Sequence, residues 1–298
     1  MKVLLAVSGG IDSMYMAERA PELFPGASFA VAHCNFRLRG EESDGDEAFV
    51  RDWCSSKGFP IFVKHFDTSS YAAANGISIE MAARELRYAW FETLCREEGF
   101  DCVAVAHNAD DNAETFFLNL LRGTGASGLR GMGDRGIIVR PLLGIPRVEI
   151  RRWMESRGLA WREDSSNSSS AYKRNRLRSE VLPVLKEMNP SLLESLRRTM
   201  AHISQVDDIA QDYFSSVRES VFVGEEISVP ALLKLKHPRY VLFRLVEPAG
   251  LTETALDNLW ELINSGRQLG GRVFVGKNGV VRGRAKWRLV LENLDKNC

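Results

Sequence analysis

A strand-like run at residues 2–7 passes directly into Ser8-Gly9-Gly10-Ile11-Asp12-Ser13, and a helical pattern follows at once. No other stretch restricts the fold as tightly. A glycine-rich corner between a strand and a helix opens an α/β unit, and it leaves backbone N–H groups free at the helix start, where they attract phosphate. The two glycines let the backbone approach a ligand closely. Ser8 and Ser13 add hydroxyl donors. Asp12 is out of place in a bare anion hole, because a carboxylate repels phosphate. It makes sense if a Mg²⁺ ion bridges it to phosphate oxygens. The other reading is an ordinary strand-to-helix turn with a polar cap; strand, loop and helix falling in register weigh against it.

Further strand signals at residues 28–33, 61–66, 102–106 and 137–139 alternate with helical stretches at about 42–56, 79–97 and 110–121. Such alternation implies a parallel sheet covered by helices on both faces. The expected fold is therefore α/β, a Rossmann-like doubly wound and mostly parallel sheet. After Pro141 the pattern changes. Pro146 opens a basic amphipathic helix that stops at Gly158, and a serine-rich polar stretch follows at residues 164–171. A helix around residues 190–214 begins a smaller, mainly helical accessory domain. It ends in a terminal β-hairpin, residues 271–275 and 280–291, joined through Lys277-Asn278-Gly279. The expected domains are residues 1–190 and 191–298, with no internal repeat.

Composition removes several classes. The 298 residues are 45% hydrophobic and 26% charged, as in globular proteins, and 39 basic residues balance 39 acidic ones. Any nucleic-acid surface must then come from local clusters rather than from bulk charge. The five cysteines, Cys34, Cys54, Cys95, Cys102 and Cys298, form no C-x-x-C pair. Reduced thiols are the simple reading, against a disulfide framework or a structural zinc site. No apolar run approaches the roughly 20 residues that span a bilayer. Residues 2–7 are too short for a signal peptide, so the expected compartment is the cytoplasm, away from membranes.

The loop resembles the S-G-G-x-D-S signature of the PP-loop, or N-type ATP-pyrophosphatase, superfamily, and every fixed position is present. A Walker loop, G-x-x-x-x-G-K-[ST], is absent. Three further segments narrow the resemblance. His33-Cys34-Asn35-Phe36-Arg37-Leu38-Arg39-Gly40 closes the second strand. His107-Asn108-Ala109-Asp110-Asp111-Asn112-Ala113-Glu114-Thr115 closes the fourth, with Leu121-Arg122-Gly123-Thr124-Gly125 at the far end of its helix. Glu163-Asp164-Ser165-Ser166-Asn167 and Tyr172-Lys173-Arg174-Asn175-Arg176-Leu177-Arg178 come later. In order and spacing these resemble the tRNA(Ile)-lysidine synthetase family, closely over residues 1–190 and more loosely beyond. One position departs: Phe36 stands where many members carry a second histidine, and it can neither donate a hydrogen bond nor exchange a proton.

The resemblance implies a carbon–nitrogen ligase that cleaves ATP to AMP and pyrophosphate. It would join free L-lysine to C2 of the wobble cytidine in the CAU anticodon of tRNA(Ile), through an O2-adenylated intermediate. ATP would be held by Ala6, Ser8, Gly9, Gly10, Ile11, Asp12, Ser13, His33 and Arg84, with Mg²⁺ on Asp12. Lysine would be held by Asp111 and Glu114. The catalytic set would be Asp12, Asp111, Glu114, His33 and Arg39. The tRNA would meet Arg87, Arg122, Asn167, Tyr172, Arg174, Asn175, Arg176 and Arg178. A homodimer stays open alongside a monomer.

Read without the family, these residues keep second meanings. Asp110, Asp111 and Glu114 share one helical face but also serve as ordinary first-turn helix stabilisers. His33 and His107 suit a structural role as well as a chemical one. Arg84 and Arg87 suit a solvated helix face as well as phosphate contact. Residues 164–171 have the composition of a linker, but the following Arg/Lys cluster and Tyr172 favour an RNA-contacting loop, where arginines grip phosphates and an aromatic stacks on a base. The basic helix with Arg147, Arg151, Arg152 and Arg157 extends that surface. Gly123 to Gly128 match G-x-G-x-x-G after a helix rather than a strand, so a dinucleotide site is rejected in favour of a mobile loop. A thiolase of the same superfamily is the nearest rival; its chemistry usually needs reactive cysteine pairs, which this chain lacks. An amidotransferase-type relative and a catalytically inactive RNA-binding protein are more distant rivals.

Overall fold

Lys2–Ala6 (β1) is apolar on both faces, as a central strand of a covered parallel sheet must be. In the computed structural model Val3, Leu5 and Val7 enter one core while Leu4 enters another. The structure describes residues 1–163, 171–285 and 287–293, except the side chains of residues 171, 172 and 293. Asn167 and the Tyr172 side chain therefore lie outside the described residues. Two units divide the chain, Met1–Ser204 and Gln205–Cys298.

In the first unit β1 is joined by Ser28–Asn35 (β2), Ile61–His65 (β3), Cys102–Ala104 (β4) and Ile138–Val139 (β5). All pair in parallel in the order β3-β2-β1-β4-β5, with Leu4 opposite Ala30 on one side and Val103 on the other. The helices are Ile11–Glu18 (α1), Ala20–Leu23 (α2), Glu41–Lys57 (α3), Thr68–Asn75 (α4), Ile79–Glu98 (α5), Ala109–Arg122 (α6), Ala126–Leu129 (α7) and Arg147–Ser156 (α8). Ala171–Arg176 (α9), a π-helical turn at Leu177–Val181, Leu182–Met188 (α10) and Leu192–Val221 (α11) follow. Met14 and Met16 of α1, Val50 and Cys54 of α3, and Ile150 and Met154 of α8 cover one face of the sheet. Trp90, Phe91 and Leu94 of α5 cover the other. This is the doubly wound sheet expected. Strand order reverses beside β1, so the chain leaving β1 and the chain leaving β4 diverge and open a crevice at their C-terminal ends, the usual ligand position in such sheets.

The second unit has its own core around Ile227, Leu242, Leu259, Val281 and Leu289. Its helices are Val229–Leu232 (α12), Pro238–Val246 (α13) and Glu253–Asn264 (α14). The terminal hairpin belongs to a larger antiparallel sheet. Phe222–Val223 (β6), Glu226–Ser228 (β7), Val273–Val275 (β8), Gly279–Ala285 (β9) and Arg288–Asn293 (β10) pair in the order β6-β7-β10-β9-β8. The stretch read as one strand, residues 280–291, is two, because the chain turns between β9 and β10 without the glycine or proline that would have marked it. Gly276 has a steric reason to be glycine: a Cβ there would stand 2.0 Å from the Ala249 carbonyl oxygen. The loop expected at residues 123–128 includes the start of α7, and Asn119 Nδ2 donates to the Gly128 carbonyl at 2.8 Å. Among the described residues no helix is long and apolar enough to cross a membrane.

Candidate active site

β1 delivers the glycine loop into the crevice. Gly9 has φ +94°, a conformation open mainly to glycine. Ser13 Oγ donates to the Gly10 carbonyl at 2.8 Å, Ser8 N–H donates to Ser13 Oγ at 3.2 Å, and Gly10 N–H donates to Ser8 Oγ at 3.3 Å. A pocket of about 240 Å³ opens against this loop, floored by Ala6, Ser8, Gly10, Asp12 and Ser13. Its walls are Ala32 and Cys34 of β2 with Phe36 just after it, Arg87, Tyr88 and Phe91 from α5, and Val105 to His107 after β4.

The walls combine an apolar lining with unsatisfied polar atoms. Phe36 stacks on Phe66 with ring centres 5.4 Å apart, so the departure from the family pattern supplies an aromatic wall. The Nε of Arg87, the hydroxyl of Tyr88 and the Nδ1 of His107 are buried without a hydrogen-bond partner among the described residues. Buried polar atoms are nearly always paired, and these three lie around one pocket. Burial lowers His107 to about 4, which leaves its imidazole neutral at ordinary pH. Burial likewise pushes the Cys34 thiol up to about 12.

The acidic helix α6 reaches the same crevice. Asn108 caps it: its Oδ1 accepts from the Asp111 N–H at 3.0 Å, and Asp111 Oδ2 accepts from the Asn108 N–H at 3.0 Å. The Asn108 amide then has one place for its NH₂ group, and Nδ2 donates to Asp12 Oδ1 at 3.0 Å. Burial raises the Asp12 carboxyl above its ordinary value, against the pull of Arg147 and of Asn108. Glu114 is fully buried. Arg178 grips it with Nε to Oε1 at 2.6 Å and Nη2 to Oε2 at 3.1 Å, and Nη2 also reaches Asp111 Oδ1 at 3.1 Å. Arg174 Nε stands 3.3 Å from Glu114 Oε2. Burial raises the Glu114 carboxyl, opposed by the hydrogen bond and charge of Arg178. Asp110 accepts from the Arg147 N–H at 2.8 Å and pairs with Lys186.

The expected site residues thus separate. Ala6, Ser8, Gly10, Asp12 and Ser13 line the pocket, whereas the Ile11 side chain is in the core. Gly9 turns toward α3 and Arg162. His33 is 2% exposed and outside the lining; its Nδ1–H donates to the Val7 carbonyl at 2.9 Å, tying β2 to the loop. Burial lowers its pKa. Arg39 pairs with Asp46 at 2.6 Å instead of entering the pocket. Arg87 lines the pocket, while the exposed Arg84 lies over the Tyr88 ring at 4.9 Å. Arg174 and Arg178 face the acidic helix rather than standing apart from it. Arg176 pairs with Glu180, the Asn175 carbonyl accepts from Ser179 Oγ at 2.7 Å, and Arg122 is exposed at the end of α6. Asn108 and Tyr88 at the site, and the Asp46–Arg162 pair behind Gly9, were not anticipated. Only Asn108 carried a signal, as a helix cap.

Residues 1–185 match the family described as the PP-loop domain. The tRNA(Ile)-lysidine synthase of Parabacteroides distasonis is 43% identical over 260 residues, covering 87% of this chain and 59% of that protein. That of Bacteroides thetaiotaomicron is 40% identical, covering 97% and 65%. That of Chlorobaculum tepidum is 44% identical, covering 73% and 67%. The chain thus spans about three fifths of the length of the first relative. Among solved structures, the U34-tRNA thiolase NcsA of Methanococcus maripaludis shares the fold, with a TM-score of 0.57 at 22% identity over 68% of this chain and 72% of that one. With its phosphate loop, its capped acidic helix and these relatives together, the chain belongs to the tRNA(Ile)-lysidine synthase family of PP-loop proteins.

Proposed function

We propose that the chain ligates L-lysine to the wobble cytidine of tRNA(Ile) bearing a CAU anticodon, at the expense of ATP and in the cytoplasm. The observation that carries this reading is the Asn108 bridge, which brings Asp12 of the phosphate loop and Asp111 of the acidic helix into one crevice. The reaction needs both ends, a seat for triphosphate and an anionic seat for an amine. Cytosine O2 attacks the α-phosphorus, forming an O–P bond as the α,β-bridging bond breaks and pyrophosphate leaves. The lysine ε-ammonium loses one proton to solvent, the amine adds at C2, the C2–O2 bond breaks, AMP departs and a second nitrogen proton passes to solvent. Ser8, Ser13 and the loop N–H groups orient the triphosphate, and Phe36, Phe91 and Tyr88 shield the nucleotide from water. The target base must leave its stack to reach the phosphorus, which an anticodon loop permits at low cost.

The donor set fits a Mg²⁺ ion held by Asp12 and nucleotide phosphates. Among the described residues that line the pocket Asp12 is the one carboxylate, and Mg²⁺ is commonly held by one or two carboxylates plus phosphate oxygens. When bound, the ion neutralises charge on the departing pyrophosphate. Asp111 and Glu114 hold the lysine ammonium, as they hold the Arg178 guanidinium here. Arg122, Arg176 and Asn175, with Asn167 and Tyr172, belong to the tRNA side, and the second unit serves as an accessory tRNA-holding domain. The rival thiolase chemistry is disfavoured because Cys34, the pocket-lining cysteine, is held as a thiol far above the range of a reactive thiolate.

The test is incorporation of radiolabelled lysine into an isoleucine tRNA transcript, with ATP dependence and pyrophosphate release. Asp12→Ala is expected to abolish both. Transfer of sulfur or ammonia without lysine would overturn the assignment.

A further inference from the structure

Three segments far apart in sequence meet behind Gly9. The Arg162 backbone N–H donates to the Gly9 carbonyl at 2.9 Å. The Arg162 side chain runs past the loop, its Cγ 3.5 Å from where a Cβ on Gly9 would stand, and its Nε donates to Asp46 Oδ1 at 2.9 Å. The second oxygen of Asp46 accepts from Arg39 Nη2 at 2.6 Å. Asp46 is only 7% exposed, so both oxygens are committed to charge-assisted bonds away from bulk water.

The peptide between Gly9 and Gly10 is where this arrangement acts. A trans peptide is planar, with its C=O and N–H on opposite sides. Holding the Gly9 carbonyl on Arg162 therefore fixes the Gly10 N–H on the other side, where it meets Ser8 Oγ and the pocket. With glycine on both sides, this peptide has the least steric hindrance to flipping in the loop.

We propose that Asp46 and Arg162 form a positioning pair for the phosphate loop. The buried carboxylate sets the place of Arg162, and the Arg162 backbone sets the Gly9–Gly10 peptide with its N–H turned toward a nucleotide phosphate oxygen. The inference rests on reading this loop as the seat of the nucleotide phosphates. Neither residue touches reacting atoms, so the pair governs phosphate affinity rather than recognition of the base.

The experiment is calorimetric titration of the full chain with Mg·ATP and separately with adenosine, for wild type, Asp46→Asn, Arg162→Ala and the double variant. Each single substitution is expected to weaken ATP binding by about tenfold, the scale of one charge-assisted hydrogen bond, with adenosine affinity unchanged. The double variant should be no weaker than the weaker single, because the two residues act in series. Unchanged ATP affinity, equal losses for ATP and adenosine, or additive losses would each overturn the pair. If wild type binds adenosine but gains nothing from the triphosphate, the phosphate-loop reading itself fails. Thermal unfolding checks folding, and Arg162→Ala, which trims a part-exposed side chain and keeps the backbone donor, carries the test if Asp46→Asn does not fold.

Discussion

Asn108 donates its side-chain amide to Asp12 at 3.0 Å and accepts from the Asp111 N–H at 3.0 Å, so one fully buried side chain joins the phosphate loop to the acidic helix. The two contacts can be separated by substitution. Asn108→Ala removes both, and the loss of the cap should cost about 1–2 kcal/mol. Asn108→Asp keeps an acceptor for the cap but sets a second carboxylate against Asp12. Like charges raise both carboxyl pKa values in the folded state, so this variant should lose stability as pH rises from 4.5 to 7.5 relative to wild type. Urea unfolding at the two pH values reads the difference. An equal loss at both would mean that the amide does not face the carboxylate.

The parts of this site that were legible in the sequence are those encoded locally. Ser8 to Ser13 carry their geometry in adjacent residues, and Asn108 with Asp111 marks a helix start within four positions. Contacts across the fold left no such trace. Arg162 and Asp46 are 116 residues apart, and nothing near either one signals the other. Arg174 and Arg178 show the limit in another form. A basic cluster in sequence has a sign but no direction, so it reads as an RNA surface, while α9 and the turn after it aim both side chains at Glu114. Burial of Glu114 itself was hidden because an acidic residue in a helix is ordinarily solvated.

Glu114 and Arg178 make a stability prediction that differs in kind from a surface ion pair. Arg178→Ala leaves a fully buried carboxylate with Arg174 as its remaining cation among the described residues, which should cost up to about 3–5 kcal/mol, against the roughly 0–1 kcal/mol of an exposed pair. Glu114→Gln combined with Arg178→Ala removes both charges and should recover much of that loss. Denaturant unfolding of the four proteins closes the cycle, and a loss under about 1 kcal/mol for Arg178→Ala would show a solvated carboxylate.

The histidines set an acid limit on the fold. His107 lies at about 4 in the folded chain against 6.5 when unfolded, and His33 is also lowered by burial. The unfolded chain thus takes up protons first as pH falls. Stability present above pH 6.5 is lost progressively as pH drops through about 4. For His107 alone the loss from pH 7 to 4.5 should be about 2 kcal/mol. His107→Asn should flatten that slope, measured as unfolding free energy against pH. An unchanged slope would place the acid sensitivity elsewhere.

Glu114→Gln separates the proposed lysine seat from the proposed ATP seat. Glu114→Gln preserves shape but removes the charge that an ammonium requires, whereas the Asp12 loop is held by Asn108 and the serines and does not depend on that charge. The KM for lysine should therefore rise on the order of tenfold or more, the scale of a hydrogen bond between charged groups, with the KM for ATP within about twofold of wild type. Steady-state kinetics on the tRNA transcript read both constants. Because Arg178 grips Glu114 in the free protein, the charge-neutral Gln also releases that arginine, so stability must be measured beside the kinetics. A rise in the ATP constant with the lysine constant unchanged would move the amine seat off α6 altogether.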